Sequence, residues 1–355
     1  MLYFIITTGR CNLKCRYCGG SFPPELVPWE IQYDIKELNS FISQDPDAII
    51  AFYGGEPLLN AKFIEKVMDN VQAKRFVIQT NGILFKKLKK NYWLRIDAVL
   101  LSIDGLEEIT SYNRGKGVYR AVIKAAKYLR EIGYHGDLIA RMTITDRSDI
   151  YRDVKHLLSL NLFDHVHWQL NVIWCPRWNF KEWAYKIYLP GIRRLVGEWI
   201  ESLIKGRPLG IVPFLGIAKR LLSKSNAIPP CGAGQSAFAI LPNGRIIACP
   251  IAVDVKWAYL GHITTHSPQE LPGRVIINDK CRLCKYYNVC GGRCLYTNKE
   301  RYWGEEGFNE VCEVTIQTID YIRQALEYVK DYINERELKG MLNYPPYNNT
   351  TEIIP

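Results

Sequence analysis

The sequence predicts an α/β protein with a partial (β/α)6 barrel of the TIM type, followed by a small cysteine-rich domain and a C-terminal helix. In the first 175 residues, short apolar runs alternate with helical stretches, which is the pattern of a parallel sheet. Ten of the eleven cysteines fall into two groups, 11–18 and 231–312, and the later group marks a second domain. We therefore expect the barrel core at 1–175, a helical bridge at 176–230, the cysteine-rich domain at 231–312, and a closing helix with a tail at 313–355.

Six apolar runs rich in β-branched and aromatic residues predict the strands of the barrel. They are Leu2–Thr8, Ala48–Tyr53, Arg75–Thr80, Ala98–Ile103, Leu138–Thr145 and His165–Val172. Helical periodicity predicts helices at Ile31–Ile42, Ala61–Asn70, Leu84–Lys90, Val118–Ile132, Asp149–Leu160, Trp183–Lys205 and Glu313–Lys339, before a loose tail at 340–355. Active sites of parallel barrels lie at the carboxyl ends of the strands, so motifs that follow these strands should meet at one mouth.

The composition indicates a globular protein of the cytoplasm. Of the 355 residues 48% are hydrophobic, but no apolar run reaches the roughly 18 residues that span a bilayer, so we expect no membrane partner. The N-terminus MLYFIITTGRC resembles a buried strand rather than a signal peptide. The net charge is +10, yet the basic residues are scattered apart from one run at 86–90, which argues against a nucleic-acid partner. Because the cytoplasm keeps thiols reduced, eleven cysteines in a cytoplasmic protein indicate metal or cluster ligands rather than disulfides.

The first cysteine group is a compact loop in which Cys11, Cys15 and Cys18 have the spacing C-x3-C-x2-C. Cubane iron–sulfur clusters usually take four thiolates, so three cysteines leave one iron open to a small molecule. A small zinc site is the alternative. The spacing, with Tyr17 before the third cysteine, resembles the signature of radical S-adenosylmethionine (SAM) enzymes. The resemblance implies a [4Fe–4S] cluster that binds SAM and cleaves it to a 5′-deoxyadenosyl radical.

Further motifs follow the predicted strands at the same rim. Gly54-Gly55-Glu56-Pro57 resembles the GGEP motif of radical SAM enzymes, whose backbone groups meet the SAM amino group. Asn81 lies in a T-N-G segment, and Ser102 and Asp104 lie in an S-I-D-G segment that resembles the family's contact to the SAM ribose or carboxylate. Each segment also reads as an ordinary Gly-containing turn.

Three arginines are candidates for the SAM carboxylate, and the sequence does not choose among Arg114, Arg120 and Arg141; Arg141, on the fifth strand, could point inward. Val172, on the sixth strand, should lie near the adenine. Cys175 follows the sixth strand at the predicted mouth and could donate a hydrogen atom to a radical. A buried thiol that packs as a small hydrophobe is the alternative.

The second cysteine group has the spacing C-x12-G-x4-C, then C-x2-C-x5-C-x3-C, then one more cysteine. Cysteine for cysteine, this resembles the SPASM extension of peptide- and protein-modifying radical SAM enzymes. The resemblance assigns Cys281, Cys284, Cys290 and Cys312 to one fully ligated auxiliary [4Fe–4S] cluster, and Cys231, Cys249 and Cys294 to another. Zinc is the alternative here too, because CxxC pairs also bind zinc.

Two departures from the SPASM pattern are visible. Some relatives have an extra cysteine where Ala237 stands, so the fourth ligand of the second auxiliary cluster is left open. Pro250 stands where anaerobic sulfatase-maturating enzymes have an aspartate base, with Asp254 four residues later. This departure counts against formylglycine formation.

These features predict a radical SAM enzyme that abstracts hydrogen from a peptide or protein and so crosslinks, oxidises or epimerises it. The resemblance implies a low-potential electron donor of the ferredoxin or flavodoxin type. The chain starts directly at the first strand, so a separate protein could supply binding of a leader peptide. The alternatives are maturation of a metalloenzyme or cofactor, a non-catalytic iron–sulfur or zinc protein, and RNA modification, which only the charge suggests.

Overall fold

The computed structural model describes residues 1–223 and 228–342, and the chain divides into two compact units. Unit 1 contains Met1–Ile103, Thr110–Ile139 and Gly232–Ile276, and unit 2 contains Asp104–Ile109, Ala140–Cys231 and the chain from Ile277 onward. Each unit therefore combines segments of the predicted barrel core with segments of the predicted cysteine-rich domain. The four sequence-based domains remain a prediction.

Nine strands are present in the described ranges. They are β1 (Leu2–Ile6), β2 (Ile49–Tyr53), β3 (Arg75–Thr80), β4 (Ala98–Ser102), β5 (Asp137–Ile144), β6 (His165–Leu170), β7 (Ala237–Ile240), β8 (Arg245–Ile247) and β9 (Tyr259–His262). All six predicted barrel strands are found, with ends shifted by up to two residues.

The α-helices within the described part of the chain are α1 (Ile35–Ile42), α2 (Ala61–Asn70), α3 (Lys90–Trp93), α4 (Glu107–Arg114), α5 (Val118–Glu131), α6 (Ile150–Ser159), α7 (Phe180–Trp183), α8 (Leu189–Ile204), α9 (Val212–Leu222), α10 (Asp279–Arg282), α11 (Tyr287–Cys290), α12 (Leu295–Glu300), α13 (Gly304–Val329) and α14 (Glu335–Met341). Short 3-10 turns lie at Pro57–Asn60, Phe85–Lys87, Lys256–Ala258 and Pro268–Glu270, and a π-turn joins α7 to α8 at Ala184–Tyr188.

Unit 1 is built on a sheet with the strand order β4-β3-β2-β1-β7-β8-β9. Strands β1 to β4 and β7 are parallel, whereas β8 and β9 run antiparallel to their neighbours. At the centre, Ile5 pairs with Phe52 on one side and with Ile240 on the other, and all three are fully buried. Because parallel strands are covered on both faces, these segments are continuous apolar runs rather than alternating ones.

Unit 2 contains β6, which is hydrogen-bonded to β5, and a helical layer in which α13 packs against α8 and α9. Trp199 on α8 is fully buried and contacts Phe214 on α9 with the ring planes 72° apart. The mixed α/β class with parallel strands agrees with the sequence prediction. Within the described residues, no helix combines the length and the apolar composition needed to cross a membrane.

Several helix boundaries differ from the predictions for local reasons. Helix α1 begins at Ile35 instead of Ile31, because Asp34 accepts from the Lys36 N–H and Glu37 reaches back to the Asp34 N–H, which forms a capping box. The predicted helix Leu84–Lys90 is only a 3-10 turn at Phe85–Lys87, followed by α3, which begins at Lys90.

The predicted closing helix Glu313–Lys339 is also different in the structure. Helix α13 begins nine residues earlier, at Gly304, so that Cys312 lies within it. It ends at Val329, and α14 starts anew after the cap Asn334, which accepts from the Glu337 N–H at 3.0 Å. The predicted tail lies outside the described residues from position 343 on.

Candidate functional site

The first three predicted cluster ligands lie on one loop directly after β1. Cys15 is buried, Cys11 is half-buried and Cys18 is exposed. The N–H groups of Cys18 and Gly19 both donate to the Cys15 carbonyl, at 3.2 and 3.1 Å, which winds the loop into a tight turn. All eleven cysteines of the chain are thiols rather than disulfides. We call residues 11–20 the cysteine loop.

The thiols of the cysteine loop have unequal acidity. The pKa of Cys18 falls to about 6, mainly because the Cys15 side chain hydrogen-bonds to its sulfur, with a contribution from the Arg114 charge. Burial raises the pKa of Cys11 to about 11. Since the thiolate is the form that binds iron, the lowered pKa makes Cys18 a better ligand at neutral pH than Cys11.

Arg16 anchors the cysteine loop to the part of α4 that belongs to unit 1. Its N–H donates to the Asn113 carbonyl at 2.9 Å, and its Nε donates to the Tyr112 carbonyl at 2.8 Å. Its guanidinium also lies 4.2 Å from the centre of the Tyr112 ring. These carbonyls belong to the last turn of α4, where helix carbonyls lack intrahelical donors. Sequence reasoning missed Arg16, because its partner lies 96 positions away and no local pattern marks the pair.

The glycines of the GGEP segment lie against the start of the cysteine loop. The Gly55 N–H donates to the Thr8 carbonyl at 3.0 Å, and the Glu56 N–H donates to the Arg10 carbonyl at 2.8 Å. A Cβ on Gly54 would lie 2.5 Å from the Thr8 oxygen, and one on Gly55 would lie 2.2 Å from the Arg10 oxygen. This close backbone approach explains why both positions are glycine.

Glu56 is buried and holds the ends of β2 and β3 together. Its carboxylate accepts from Leu58 N–H at 3.0 Å, from Thr80 Oγ1 at 2.6 Å and from Asn81 N–H at 2.8 Å. Burial raises its pKa to about 7, although these three hydrogen bonds oppose the shift. The Asn81 side chain in turn donates to Asn12 Oδ1 at 2.8 Å. The cysteine loop, the GGEP segment and the T-N-G segment therefore meet in unit 1, as the sequence led us to expect. Pro57 is buried at the start of the 3-10 turn that follows Glu56.

The S-I-D-G segment lies where the chain passes from unit 1 to unit 2. Ser102 is buried at the end of β4, and Asp104 is fully buried in unit 2, where it accepts from the Thr143 N–H at 2.9 Å. Gly105 has φ +117°, and a Cβ there would lie 2.5 Å from Cβ of Asp153. Asp104 thus has a structural contact on β5.

The three candidate arginines are in different environments. Arg114 is buried in unit 1, where its guanidinium lies 5.4 Å from the centre of the Tyr17 ring in the cysteine loop. Arg141 lies in unit 2 on β5, and its Nη1 donates to the Met142 carbonyl at 2.7 Å. Arg120 is exposed on α5. Of the three, Arg114 is the one whose charge acts on a predicted cluster ligand, Cys18.

Cys175 follows β6 in unit 2 and is half-buried. Its thiol donates to the Asn171 carbonyl at 3.3 Å, and its own carbonyl accepts from Trp303 Nε1 at 2.9 Å. Burial raises the pKa of this thiol to about 11, so that it stays protonated at neutral pH. The preceding residue, Trp174, has the left-handed φ of +57°. Val172 is buried two residues beyond the end of β6, so it is not on the strand as the sequence predicted.

Four of the later cysteines meet in unit 2. Cys281, Cys284, Cys290 and Cys312 line one cavity of about 120 Å³, which we call the four-cysteine cavity. Asn298 Nδ2 donates to the sulfur of Cys281 at 3.2 Å. Burial raises the pKa of Cys290 to about 12 and also raises that of Cys312. Four thiols around one cavity match the ligand number of a fully ligated cubane, and they are the four that the resemblance to the SPASM extension assigns to one cluster.

The other three predicted ligands are divided between the units. Cys249 lies in unit 1 just after β8, whereas Cys231 and Cys294 lie in unit 2. Their assignment to one cluster remains a prediction. In the described ranges 1–223 and 228–342, no three His, Cys, Asp or Glu side chains are grouped as the ligands of a single metal ion would be. In a cubane, by contrast, each thiolate binds a different iron.

Comparison with known proteins finds a family match in the first part of the chain. Residues 5–166 match the Radical SAM superfamily. The chain is 33% identical over 165 residues to the Fe-coproporphyrin III synthase of Methanosarcina barkeri, a match that covers 43% of this chain and 39% of that protein. It is 21% identical over 336 residues to AlbA, the antilisterial bacteriocin subtilosin biosynthesis protein of Bacillus subtilis, with 82% of this chain and 67% of AlbA covered.

One group of solved structures matches almost the entire chain. The structure of native anSMEcpe with bound AdoMet (SAM) has a TM-score of 0.70 at 19% identity and covers 93% of this chain and 100% of that chain. Native anSMEcpe has also been solved with AdoMet and the Cp18Cys peptide. These matches confirm the predicted fold class. A radical SAM domain implies a [4Fe–4S] cluster and SAM as cofactors.

Proposed function

We propose, for a chain whose residues 5–166 match the Radical SAM superfamily, that the protein abstracts a hydrogen atom from a peptide or protein substrate. SAM, when bound, would supply the hydrogen-abstracting radical through one-electron cleavage with release of methionine, and the hydrogen taken from the substrate would leave in 5′-deoxyadenosine. The substrate radical then crosslinks, is oxidised or regains a hydrogen. The observation that carries this proposal is the four-cysteine cavity. Iron–sulfur clusters in addition to the SAM-binding cluster are typical of peptide-modifying radical SAM enzymes.

The residues of unit 1 fit a SAM-binding cluster. Cys11, Cys15 and Cys18 offer three thiols on one turn, and Cys18 is ionised near neutral pH. The cluster, when bound, supplies the electron for SAM cleavage. The chain's own part is to hold the cysteine loop through Arg16 and to keep the adjacent backbone of Gly54 and Gly55 free of side chains.

We assign the binding of SAM to the predicted rim residues. The set consists of Gly54, Gly55, Glu56, Pro57, Asn81, Ser102, Asp104, Arg141 and Val172. Because Glu56 and Asp104 are buried and accept backbone hydrogen bonds, we assign them the shaping of this site rather than direct contact. Arg114 and Arg141 are both candidates to bind the SAM carboxylate. Arg114 is a candidate because its guanidinium lies beside Tyr17 of the cysteine loop.

We assign one auxiliary cluster to the four-cysteine cavity and a second to Cys231, Cys249 and Cys294. Auxiliary clusters, when bound, accept the electron released by oxidation of a substrate radical. The likeness in fold to anSMEcpe and the likeness in sequence to AlbA support a peptide or protein as the substrate. A low-potential ferredoxin or flavodoxin is the proposed reductant, and a separate peptide-binding protein is a further proposed partner. We propose a cytoplasmic location.

A second candidate function is maturation of a cofactor. The observation that favours it is the 33% identity to the Fe-coproporphyrin III synthase, which exceeds the identity to AlbA. This match is confined to 43% of the chain, whereas the match to AlbA covers 82%. The longer match takes in the cysteine-rich part of the chain, so the peptide substrate remains the preferred proposal.

The cluster content is tested by anaerobic reconstitution followed by assays of iron, sulfide and zinc. We expect about twelve irons per chain for three cubanes. The triple variant Cys11→Ala, Cys15→Ala, Cys18→Ala and the single variant Cys312→Ser should each lose about four. Cys175→Ser is the matched control and should lose none. About four irons together with bound zinc would contradict the auxiliary clusters and keep the radical SAM core.

The substrate class is tested by the formation of 5′-deoxyadenosine under reducing conditions. One arm adds a random-sequence peptide library, and the other adds an iron tetrapyrrole that is a precursor of Fe-coproporphyrin III, the product named for the Methanosarcina barkeri relative. Stimulation and a mass change in a peptide would support peptide modification. Stimulation by the tetrapyrrole precursor alone would favour cofactor maturation instead.

A further inference from the structure

Arg293 is a buried arginine at the four-cysteine cavity. Only 4% of its surface is exposed, and it lines the cavity together with Cys281, Cys284, Cys290 and Cys312. Its Nη1 is buried and has no hydrogen-bond partner within the described residues. The residue therefore places a positive charge and an unused donor beside four thiols.

The burial of this guanidinium is costly as the chain stands. An arginine stays protonated in proteins, and a buried charge without an ionic partner is strongly destabilising. The Phe308 ring, 5.6 Å from the guanidinium, offers a cation–π contact of only about 1–2 kcal/mol. A negatively charged group in the cavity would offset the remaining cost.

The backbone conformation at Arg293 is also unfavourable. Its φ is +61°, and it follows Gly291 and Gly292, whose φ values of +61° and +81° are also left-handed. Glycine adopts this region at no cost, whereas a residue with a Cβ pays roughly 1–2 kcal/mol. Glycine at position 293 would avoid both the backbone strain and the cost of burying a charge, yet the residue there is an arginine.

We propose that Arg293 is a positioning residue for the auxiliary cluster of the four-cysteine cavity, and that its charge makes this cluster easier to reduce. The inference rests on the proposed function, because it requires a cluster at these four cysteines. A cubane with four thiolates is anionic, and reduction adds one more negative charge. A fixed cation and a donor to sulfur both stabilise the reduced form, and net charge and hydrogen bonds to sulfur are the features that set cluster potentials.

Arg301 provides a matched control. Its guanidinium lies 3.7 Å from the centre of the same Phe308 ring, and its Nη1 pairs with Glu305 at 2.9 Å. It is not among the residues that line the four-cysteine cavity. Arg301→Lys therefore disturbs a neighbouring arginine on the same ring and leaves the charge at the cavity unchanged.

The test is a redox titration of the reconstituted full chain, followed by electron paramagnetic resonance in the Cys11, Cys15, Cys18→Ala background. The relevant signal is the one that Cys312→Ser removes. In Arg293→Met, we expect its midpoint potential to fall by at least 59 mV, a tenfold change in the one-electron reduction equilibrium. Arg293→Lys, which keeps the charge, and Arg301→Lys should shift it by less than half as much. If Arg293→Met does not load iron, Arg293→Gln is the neutral variant for the same comparison.

The outcomes separate the two proposals. An unchanged potential in a fully loaded neutral variant would overturn the role of Arg293 and leave the auxiliary cluster intact. A wild-type protein without the signal that depends on Cys312 would overturn the cluster itself, and the role of Arg293 with it. A fall in the midpoint potential that occurs only in the neutral variants of Arg293 would support both the auxiliary cluster and the role of Arg293.

Discussion

The carboxylate of Glu56 accepts a hydrogen bond from the backbone N–H of Asn81 at 2.8 Å, across 25 positions of sequence. Because Asn81 also donates to Asn12 of the cysteine loop, this one carboxylate ties three predicted motifs together. Glu56, the acidic residue of the GGEP segment, thus has a structural role, and we call its three hydrogen bonds the Glu56 brace.

Replacement of this brace should destabilise unit 1. In Glu56→Gln an amide nitrogen replaces one acceptor oxygen, so one of the three donors loses its partner. At pH 5, below the raised pKa of Glu56, we expect a loss of about 1–3 kcal/mol in the free energy of unfolding, measured by denaturant titration. Glu131→Gln, at the exposed end of α5, is the control and should stay within about 0.5 kcal/mol of wild type. Equal stability of both variants would show that the brace contributes nothing.

The same carboxyl group should make stability depend on pH. Its pKa is raised from 4.5 to about 7, so the unfolded chain ionises first as the pH rises. The folded state then binds more protons, and its stability falls between pH 4.5 and 7 and levels off above 7. From pH 4 to pH 8 the wild type should lose up to about 3 kcal/mol more than Glu56→Gln does. Parallel pH profiles of the two proteins would rule this out.

The two glycines of the GGEP segment should tolerate no side chain. In Gly55→Ala the new Cβ would lie 2.2 Å from the Arg10 carbonyl, which must move and displace the cysteine loop. We expect a lower melting temperature and loss of the iron that depends on Cys11, Cys15 and Cys18. Gly197→Ala is the control, since a Cβ there meets nothing within 4 Å, and in the middle of α8 it should stabilise by about 0.5–1 kcal/mol. Normal iron content in Gly55→Ala would contradict the close packing.

Removal of the Arg16 anchor should loosen the cysteine loop. Arg16→Ala loses the Nε hydrogen bond and the contact with the Tyr112 ring, together worth roughly 1–2 kcal/mol. We expect amide hydrogen exchange of residues 11–20 to become about fivefold or more faster in the metal-free protein. Lys14→Ala removes another exposed basic side chain from the same loop and should leave exchange unchanged. The anchor would be refuted by identical exchange in the two variants.

Cys175 should react slowly with alkylating agents at neutral pH. Its pKa is raised to about 11 by burial, so only a small fraction is thiolate at pH 7. The rate of modification by iodoacetamide, followed by mass spectrometry of its peptide, should rise about tenfold per pH unit up to pH 10. A rate at pH 7 that matches that of a free exposed cysteine would exclude a protonated thiol here, and with it a ready hydrogen-atom donor.

Much of the fold could be predicted from the order of residues along the chain, because the features that indicate it lie within short segments. Runs such as Leu2–Ile6 and Ala98–Ser102 are apolar without alternation, which is what a strand covered on both faces requires. The six strands could therefore be anticipated from residue order. The grouping of Cys281, Cys284 and Cys290 with Cys312 could be anticipated from the resemblance of the cysteine pattern to the SPASM extension.

Other features depend on contacts between distant segments, which no window of sequence contains. Arg16 and Arg293 look like ordinary basic residues in the chain, and only folding puts one on the Tyr112 carbonyl and the other beside four thiols. The buried state of Glu56 and Asp104 is likewise set by what packs around them. Residue type and spacing thus establish which chemistry the chain can carry, whereas burial and long-range packing establish which side chains face a ligand and which hold the fold.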